Sequence, residues 1–340
     1  MAVILVTGAT GRVGANLTRA LIEAGHRVHA LQLPDDPKAS KLKTLDCAVF
    51  EGDLRDGEAL ARAAAGCEAV FHTACMMGLP AGMTRGEYFD INVRGTLNVL
   101  EAARAAEVER FIYTSSDVVY PSAYAPLYWP VDEAHPRRSD KPYGMAKILC
   151  EDMVWTYHRE QTVRATVLRP GGQIVAGEEF LRGWTVGTMV GLMKAAAQSR
   201  AGHMYLPGQR PWEALEALAE GPAQLVSIAD AEGQPWIWSR CDVRDVVQGH
   251  LLALARPEAI GETFNIAPPM GHPLTEAVPL AAAATHQDYL EWRAPMRWVY
   301  WNSNVKARQL LDYRPEFDTR RMMEDAARAA AGADIGVIPA

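Results

Sequence analysis

Val3-Ile4-Leu5-Val6-Thr7-Gly8-Ala9-Thr10-Gly11-Arg12-Val13-Gly14 stands two residues into the chain, and its reading decides the fold. An apolar run ends in a turn with glycines at 8, 11 and 14. Ala15 to Ala24 then shows helical spacing and stops at Gly25, and Arg27 to Leu33 is extended and rich in apolar residues. The unit is therefore strand, glycine turn, helix, strand. Glycines here let the backbone turn tightly and approach a ligand, while the new helix offers unpaired N–H groups and a positive dipole end to a pyrophosphate. The spacing is Gly-x-x-Gly-x-x-Gly, not the commoner Gly-x-Gly-x-x-Gly, and a purely structural turn competes with the dinucleotide reading. The position between the first strand and a helix favours the dinucleotide.

The same alternation continues. Ala48-Val49-Phe50 leads to Gly52-Asp53-Leu54-Arg55-Asp56, an alanine-rich helix spans Gly57 to Ala65, and Ala69 to Ala74 is a strand entering a small-residue turn. A long helix is expected over Glu87 to Ala106, a strand over Arg110 to Tyr113, a loop over 121 to 142, a helix from Tyr143 to about Glu160, and a strand from Arg164 to Leu168. Strands alternating with helices across short turns mean an α/β fold with a parallel, doubly wound sheet. After Arg169-Pro170-Gly171-Gly172 the pattern changes to tryptophan-, glycine- and proline-interrupted sequence with helical pieces near 186 to 198 and 212 to 220. Val243 to Ala255 and Glu262 to Ile266 resume the alternation, and helices are expected around Ser303 to Leu311 and Thr319 to Ala331. Residues 1–170, rejoined by 243–267, read as the dinucleotide-binding domain; 171–242 and 268–340 read as a smaller, mixed α/β substrate domain.

A net charge of −7 over 340 residues gives no electrostatic reason to expect nucleic acid or an anionic membrane surface as a partner. No apolar run approaches the roughly 18 residues of a membrane span, and the start of the chain reads as a buried strand, not a signal peptide. The five cysteines are scattered without a Cys-x-x-Cys pair, and the nine histidines are dispersed, His26 and His29 lying in an expected strand. Neither a disulfide scaffold nor a metal site is expected, and the location expected is the cytoplasm.

Tyr143 and Lys147 are four residues apart, which on a helix stacks them on one face. An ammonium one turn away favours the phenolate over a phenol of pKa near ~10, so the pair can serve as a tuned proton donor and acceptor. An ordinary solvated i,i+4 pair is the competing reading.

These stretches, taken in order, resemble the extended short-chain dehydrogenase/reductases of the NAD-dependent epimerase/dehydratase type. The resemblance is carried by TGATGRVG (7–14), GDLRD (52–56), VFHTA (70–74), NVRGTLNVLEA (92–102), FIYTSSDVVY (111–120), the Tyr143/Lys147 pair, LRP (168–170), DVRDV (242–246), GETFNI (261–266) and ARQLLDYRP (307–315). It implies a Rossmann sheet and a nicotinamide-dependent redox step at a carbon bearing a hydroxyl or carbonyl. It further implies that Ser116 and Tyr143 hydrogen-bond the reacting oxygen, and that Lys147 both tunes Tyr143 and holds the nicotinamide ribose. Charge developing on that oxygen would be stabilised by two short donors and a nearby cation. The cofactor residues implied are Gly8, Thr10, Gly11, Arg12, Val13, Gly14, Gln32, Asp53, Leu54, Thr73, Ala74, Asn92, Thr114 and Pro170, together with Tyr143 and Lys147. Asp53 is expected to meet the adenine, with a helix cap as the alternative; Asn92 is expected to support the central helix, with a buried amide joining two elements as the alternative. Relatives dimerise by pairing two helices from each subunit, here those around Arg94 to Ala106 and Ala146 to Tyr157, so a homodimer is expected.

Three departures bear on substrate and cofactor. Gln32 stands where an acidic residue usually accepts the adenosine ribose hydroxyls, yet no arginine follows: Leu33 and Pro34 come next, and Lys38 and Lys41 are accompanied by Asp35 and Asp36. NAD is expected ahead of NADP. Asp117-Val118 replaces the Asp-Glu pair of sugar 4,6-dehydratases, and valine takes no proton. Gly172 stands where many nucleotide-sugar members carry an asparagine, and with Trp212, Trp236 and Trp238 nearby it suggests a rebuilt substrate pocket. Tyr120-Pro121 replaces the usual Tyr-Gly. The function expected is an oxidoreductase or epimerase on a small, polyhydroxylated, sugar-like substrate; the alternatives are a one-way carbonyl reductase or alcohol dehydrogenase on a non-sugar compound, and a non-catalytic dinucleotide sensor.

Overall fold

The structure is a computed structural model and describes residues 1–121 and 125–339; part of the loop expected at 121 to 142 lies outside the described residues. Along the chain run β1 (Val3–Thr7), α1 (Arg12–Glu23), β2 (Arg27–Gln32), β3 (Ala48–Glu51), α2 (Gly57–Ala64), β4 (Ala69–His72), α3 (Arg85–Phe89), α4 (Gly95–Ala105), β5 (Arg110–Thr114), α5 (Pro142–Arg159) and β6 (Arg164–Pro170). There follow β7 (Gln173–Val175), α6 (Val186–Ser199), α7 (Pro211–Leu218), β8 (Leu225–Asp230), β9 (Ile237–Trp238), β10 (Arg240–Asp242), α8 (Val243–Ala255) and β11 (Thr263–Ile266). The last elements are β12 (His272–Pro273), α9 (Leu274–Thr285), β13 (Tyr289–Ala294), α10 (Val305–Leu311) and α11 (Thr319–Ala330).

Seven strands form one parallel sheet in the order β11-β6-β5-β4-β1-β2-β3. The chain builds outward from β1 through β2 and β3, then returns to the other side of β1 for β4. That reversal opens a crevice at the carboxyl ends of β1 and β4, where ligands of open α/β sheets bind. Side chains alternate between the two faces, as the pleat requires. Ile4, Val6, Phe71, Ile112 and Phe264 pack with α1 and α8; Leu5, Val70, Phe111, Tyr113 and Val167 pack with α2, α4 and α5. The sheet is thus a doubly wound Rossmann layer.

A third core lies beyond it, built by the segments that follow β6. β8 pairs in parallel with β13, and Trp184, Trp236 and Trp298 are fully buried there with Met189, Met193 and Val278. Both the β8–β13 pair and α9 escaped the sequence reading, since their strands are separated by about sixty residues and α9 carries Pro279 inside it. His26 precedes β2, where its Nδ1 accepts from the Ala2 N–H; only His29 lies in the strand.

The long helix expected over Glu87 to Ala106 is broken by a π-turn, Asp90–Arg94, between α3 and α4. On that turn the Asn92 amide accepts from the Met76 N–H at 2.9 Å and donates to the Met76 carbonyl at 3.2 Å. Such bulges recur where a helix must present a side chain out of its normal phase.

One buried ion pair joins the layers. Glu151 of α5 is fully buried and accepts from Arg169 of β6 at 2.8 and 2.6 Å, and from the Ser115 hydroxyl at 2.6 Å. Replacing Glu151 by Ala leaves the Arg169 guanidinium uncompensated in the interior. The expected loss is about 3–5 kcal/mol of unfolding free energy, read as a lower urea midpoint at unchanged slope; a midpoint within a few tenths of a molar of the parent would refute the role of this pair.

Candidate active site

At the glycine turn Gly8 has φ +67°, and a Cβ there would lie 2.7 Å from Ala74 Cα; one on Gly14 would lie 2.0 Å from the Gly8 carbonyl oxygen. Only glycine fits either position. α1 begins at Gly11 without a side-chain cap, so its first N–H groups stay open to an anion. Arg12 pairs with Glu179 at 2.5 Å, while its buried Nε has no hydrogen-bond partner among the described residues.

From this turn a cleft of about 540 Å³ runs along the ends of β1, β4, β5 and β6. Its lining brings together eleven of the residues singled out above: Gly8, Gly11, Arg12, Val13, Gly14, Thr73, Thr114, Ser116, Tyr143, Lys147 and Pro170. The cradle and the open helix terminus fit a dinucleotide. The remaining expected residues lie around it. Thr10 donates to Asp36 at 2.6 Å, Gln32 ends β2 with its carbonyl bound to the Gly52 N–H, Ala74 backs Gly8, and Leu54 is buried against Gly95. Asp53 is held bidentately by the Arg55 side chain at 2.8 and 2.9 Å and also accepts from the Arg55 N–H at 2.8 Å; the cap of α2 is Asp56 instead. Asn92 takes the role of a buried amide joining two elements.

Lys147 is 3 % exposed, and its Nζ donates to the Thr114 carbonyl at 2.6 Å, 5.8 Å from the Tyr143 ring centroid. The Tyr143 hydroxyl lies 3.9 Å from Cys75 Sγ. Its pKa lies well above the ordinary phenol value, chiefly through burial and then through Cys75, with a hydrogen bond from Ser116 acting the other way. The lowering expected from Lys147 is therefore outweighed: the ammonium is drawn to a backbone carbonyl, and desolvation penalises the phenolate.

Two further side chains reach the site. Asp117 is 5 % exposed, and its Oδ2 accepts from the Tyr300 hydroxyl at 2.7 Å and from the Gly172 N–H at 2.7 Å, while Oδ1 accepts from Ser116 at 3.3 Å. Burial raises its pKa, and these three donors pull it down. Asp117 stood beside a singled-out serine, whereas Tyr300 joins from 183 positions away and left no signal in the sequence. The rest of the lining includes the apolar side chains of Met77, Val118, Ile174, Leu192 and Trp238, beside the polar Ser139, Asp140, Lys141 and Gln173. Of the three tryptophans singled out, Trp238 lines the cleft, Trp236 is core and Trp212 packs against that core. Gly172 has φ +78°, and a Cβ there would fall 2.1 Å from the Ser239 carbonyl oxygen.

Fold and cleft together define a dinucleotide-binding protein of the doubly wound class. The chain belongs to the NAD dependent epimerase/dehydratase family, whose model matches residues 4–267. It is an NAD-dependent enzyme of the dehydrogenase, reductase and epimerase kind. Among solved structures it is similar to a short-chain dehydrogenase/reductase superfamily protein from Agrobacterium tumefaciens with bound NAD, at TM-score 0.80 and 30% identity over 97% of each chain. A 3-beta-hydroxysteroid dehydrogenase from Mycolicibacterium neoaurum is 32% identical over 52% of this chain, a match spanning about half (49%) of that protein. A UDP-glucose 4-epimerase from Yersinia pestis is 28% identical over 95% of both chains. Among the described residues no helix is long and apolar enough to cross a membrane, and no three His, Cys, Asp or Glu side chains group as metal ligands.

Replacing Tyr300 by Phe removes one donor to Asp117, so the Asp117 pKa moves further up. The expected readout is a carboxyl ¹³C titration of Asp117 displaced to higher pH than in the parent; an unmoved or lowered midpoint would refute the coupling.

Proposed function

We propose that this protein is an NAD-dependent alcohol dehydrogenase or ketone reductase acting on a compound with a bulky apolar body. The observation that carries this reading is Gly172: its left-handed backbone, pressed on the Ser239 carbonyl, excludes the asparagine side chain that nucleotide-sugar enzymes of the family place there. The wall beyond it is made by Trp238, Leu192 and Met77. Of the cationic side chains lining the cleft, Arg12 is paired with Glu179 and Lys147 is bound to Thr114, which leaves Lys141 for an anionic substrate.

NAD, when bound, supplies the nicotinamide carbon that accepts or gives two electrons and a hydrogen. The chain's own residues then manage the oxygen and its proton. Ser116 and Tyr143 donate hydrogen bonds to the reacting oxygen, stabilising the charge that develops on it. Tyr143, protonated at neutral pH because burial holds its pKa high, is poised to hand its proton to a carbonyl oxygen. In the reverse direction it must first lose that proton, so alcohol oxidation gains rate as pH rises. Lys147, anchored by the Thr114 carbonyl near the Tyr143 ring, would hold the nicotinamide ribose hydroxyls. Asp36, bound to Thr10, sets a carboxylate beside the glycine turn and opposes an additional phosphate there, which supports NAD over NADP.

Epimerisation of a sugar-like substrate is the second reading, favoured by the full-length similarity to a UDP-glucose 4-epimerase. The two differ in cofactor turnover, since an epimerase regenerates its NAD and a dehydrogenase accumulates NADH. Residues 171–242 and 268–340 are taken as the substrate-binding part. A cytoplasmic homodimer is supported by the free state of all five cysteines and by Leu97 of α4 with Met145 and Leu149 of α5, which are exposed at 37, 52 and 38%.

The test follows reduced-nicotinamide absorbance with alicyclic alcohols and ketones against sugars and nucleotide sugars. Net, substrate-dependent formation or loss of NADH with the alicyclic compounds is expected. Replacing Tyr143 by Phe should lower turnover by about 10²–10⁴-fold while NAD binding, read by calorimetry, persists. Unchanged turnover in that variant would refute the assignment of Tyr143.

A further inference from the structure

Gln173 is the first side chain after Pro170 to reach the cleft, because Gly171 and Gly172 intervene. Its strand β7 runs parallel to β10 with Gln173 in register with Arg240, which sets the two side chains next to each other on one face. Arg240 is 2 % exposed and forms no ion pair among the described residues. Its guanidinium is enclosed by the rings of Phe180, Trp184 and Trp238 at 5.1–5.5 Å. Its two terminal nitrogens donate to oxygens, the Phe180 carbonyl at 3.2 Å, the Arg182 carbonyl at 2.5 Å, the Glu179 carbonyl at 3.5 Å and Gln173 Oε1 at 2.8 Å, while its buried Nε has no partner among the described residues.

A guanidinium only donates, so the amide atom it touches must be the oxygen. The usual ambiguity between the oxygen and nitrogen of a glutamine is thereby removed. Burial lowers the Arg240 pKa only to about 10, which leaves the guanidinium charged at neutral pH. Gln173 is exposed, lines the cleft, and its NH₂ makes no hydrogen bond among the described residues. Beside the apolar side chains of Ile174, Leu192 and Trp238, and apart from the Ser139, Asp140 and Lys141 stretch, the cleft therefore presents one amide donor of fixed orientation.

We propose that Gln173, oriented by Arg240, is a substrate-selecting residue that donates to a second oxygen acceptor, a carbonyl or carboxyl group, carried by the substrate away from its reacting carbon. The reacting oxygen is claimed by Ser116 and Tyr143, so the second acceptor lies elsewhere on the apolar body. The substrate class is then an apolar hydroxy-ketone, diketone or keto acid. This inference rests on the reading of the site given under the proposed function.

The experiment uses the full chain loaded with NADH and a set of bicyclic diketones, with the second carbonyl moved around the ring, against the monoketone of the same skeleton. Dissociation constants are read from tryptophan fluorescence and kcat/KM from NADH consumption. At least one diketone should bind about tenfold more tightly than the monoketone, the effect of one hydrogen bond in a desolvated site. Gln173→Met, close in volume, should bring the ratio to about one with NADH affinity unchanged. Gln173→Glu, whose carboxylate only accepts, should favour the matching hydroxy-ketone over the diketone. A preference that survives Gln173→Met, or its absence in the parent chain, overturns the proposal. Binding ratios that shift with Gln173 without any NADH consumption would retain Gln173 and discard the redox reading. NADH consumption with ratios indifferent to Gln173 would do the reverse.

Discussion

The buried pairing of Glu151 with Arg169 is the interaction on which the site depends. It is made in the interior, where a lone charge is untenable and two matched ones with further hydrogen bonds are tolerated. Because Glu151 also takes the Ser115 hydroxyl, it locks α5 against the ends of β5 and β6 at once. Tyr143 and Lys147 ride on that helix two turns and one turn earlier, and Ser116 follows Ser115 directly. The positions of Tyr143, Lys147 and Ser116 are therefore tied to a contact between two residues, Glu151 and Arg169, that do not themselves line the cleft. Arg169 passes the constraint on, donating to the Tyr120 hydroxyl at 2.9 Å, and Tyr120 in turn donates to Asn265 of β11.

Around this frame the cleft divides into two chemistries. The half under the glycine turn is backbone and small residues, open to a phosphate. The half beyond Tyr143 is desolvating at two groups, Tyr143 and Asp117, both driven toward their neutral forms. A site so arranged favours keeping protons over releasing them.

The sheet was legible because its strands are short apolar runs between turn residues, and because the glycine turn comes first and fixes the register of everything after it. Ser116 was legible for the same reason, lying two residues past the end of β5, and the Tyr143–Lys147 pair by its spacing on one helix. What the sequence hid is non-local. Tyr300 reaches Asp117 across 183 positions, and the π-turn at Asn92 depends on a loop, Met76, that is sixteen residues away. The balance at Tyr143 was misjudged because spacing shows a neighbouring ammonium but not the burial that opposes it. Trp236 and Trp238 are two residues apart yet one is core and the other lines the cleft; nothing in their local sequence separates them.

Gly172 also restricts the changes open to this chain. Any side chain at that position would have to displace the Ser239 carbonyl, which lies between β9 and β10, and β10 pairs with β7. A side chain at Gly172 alone is therefore not accommodated; the strand opposite would have to retreat first, so change at this position is tied to change at Ser239 and the two cannot vary independently.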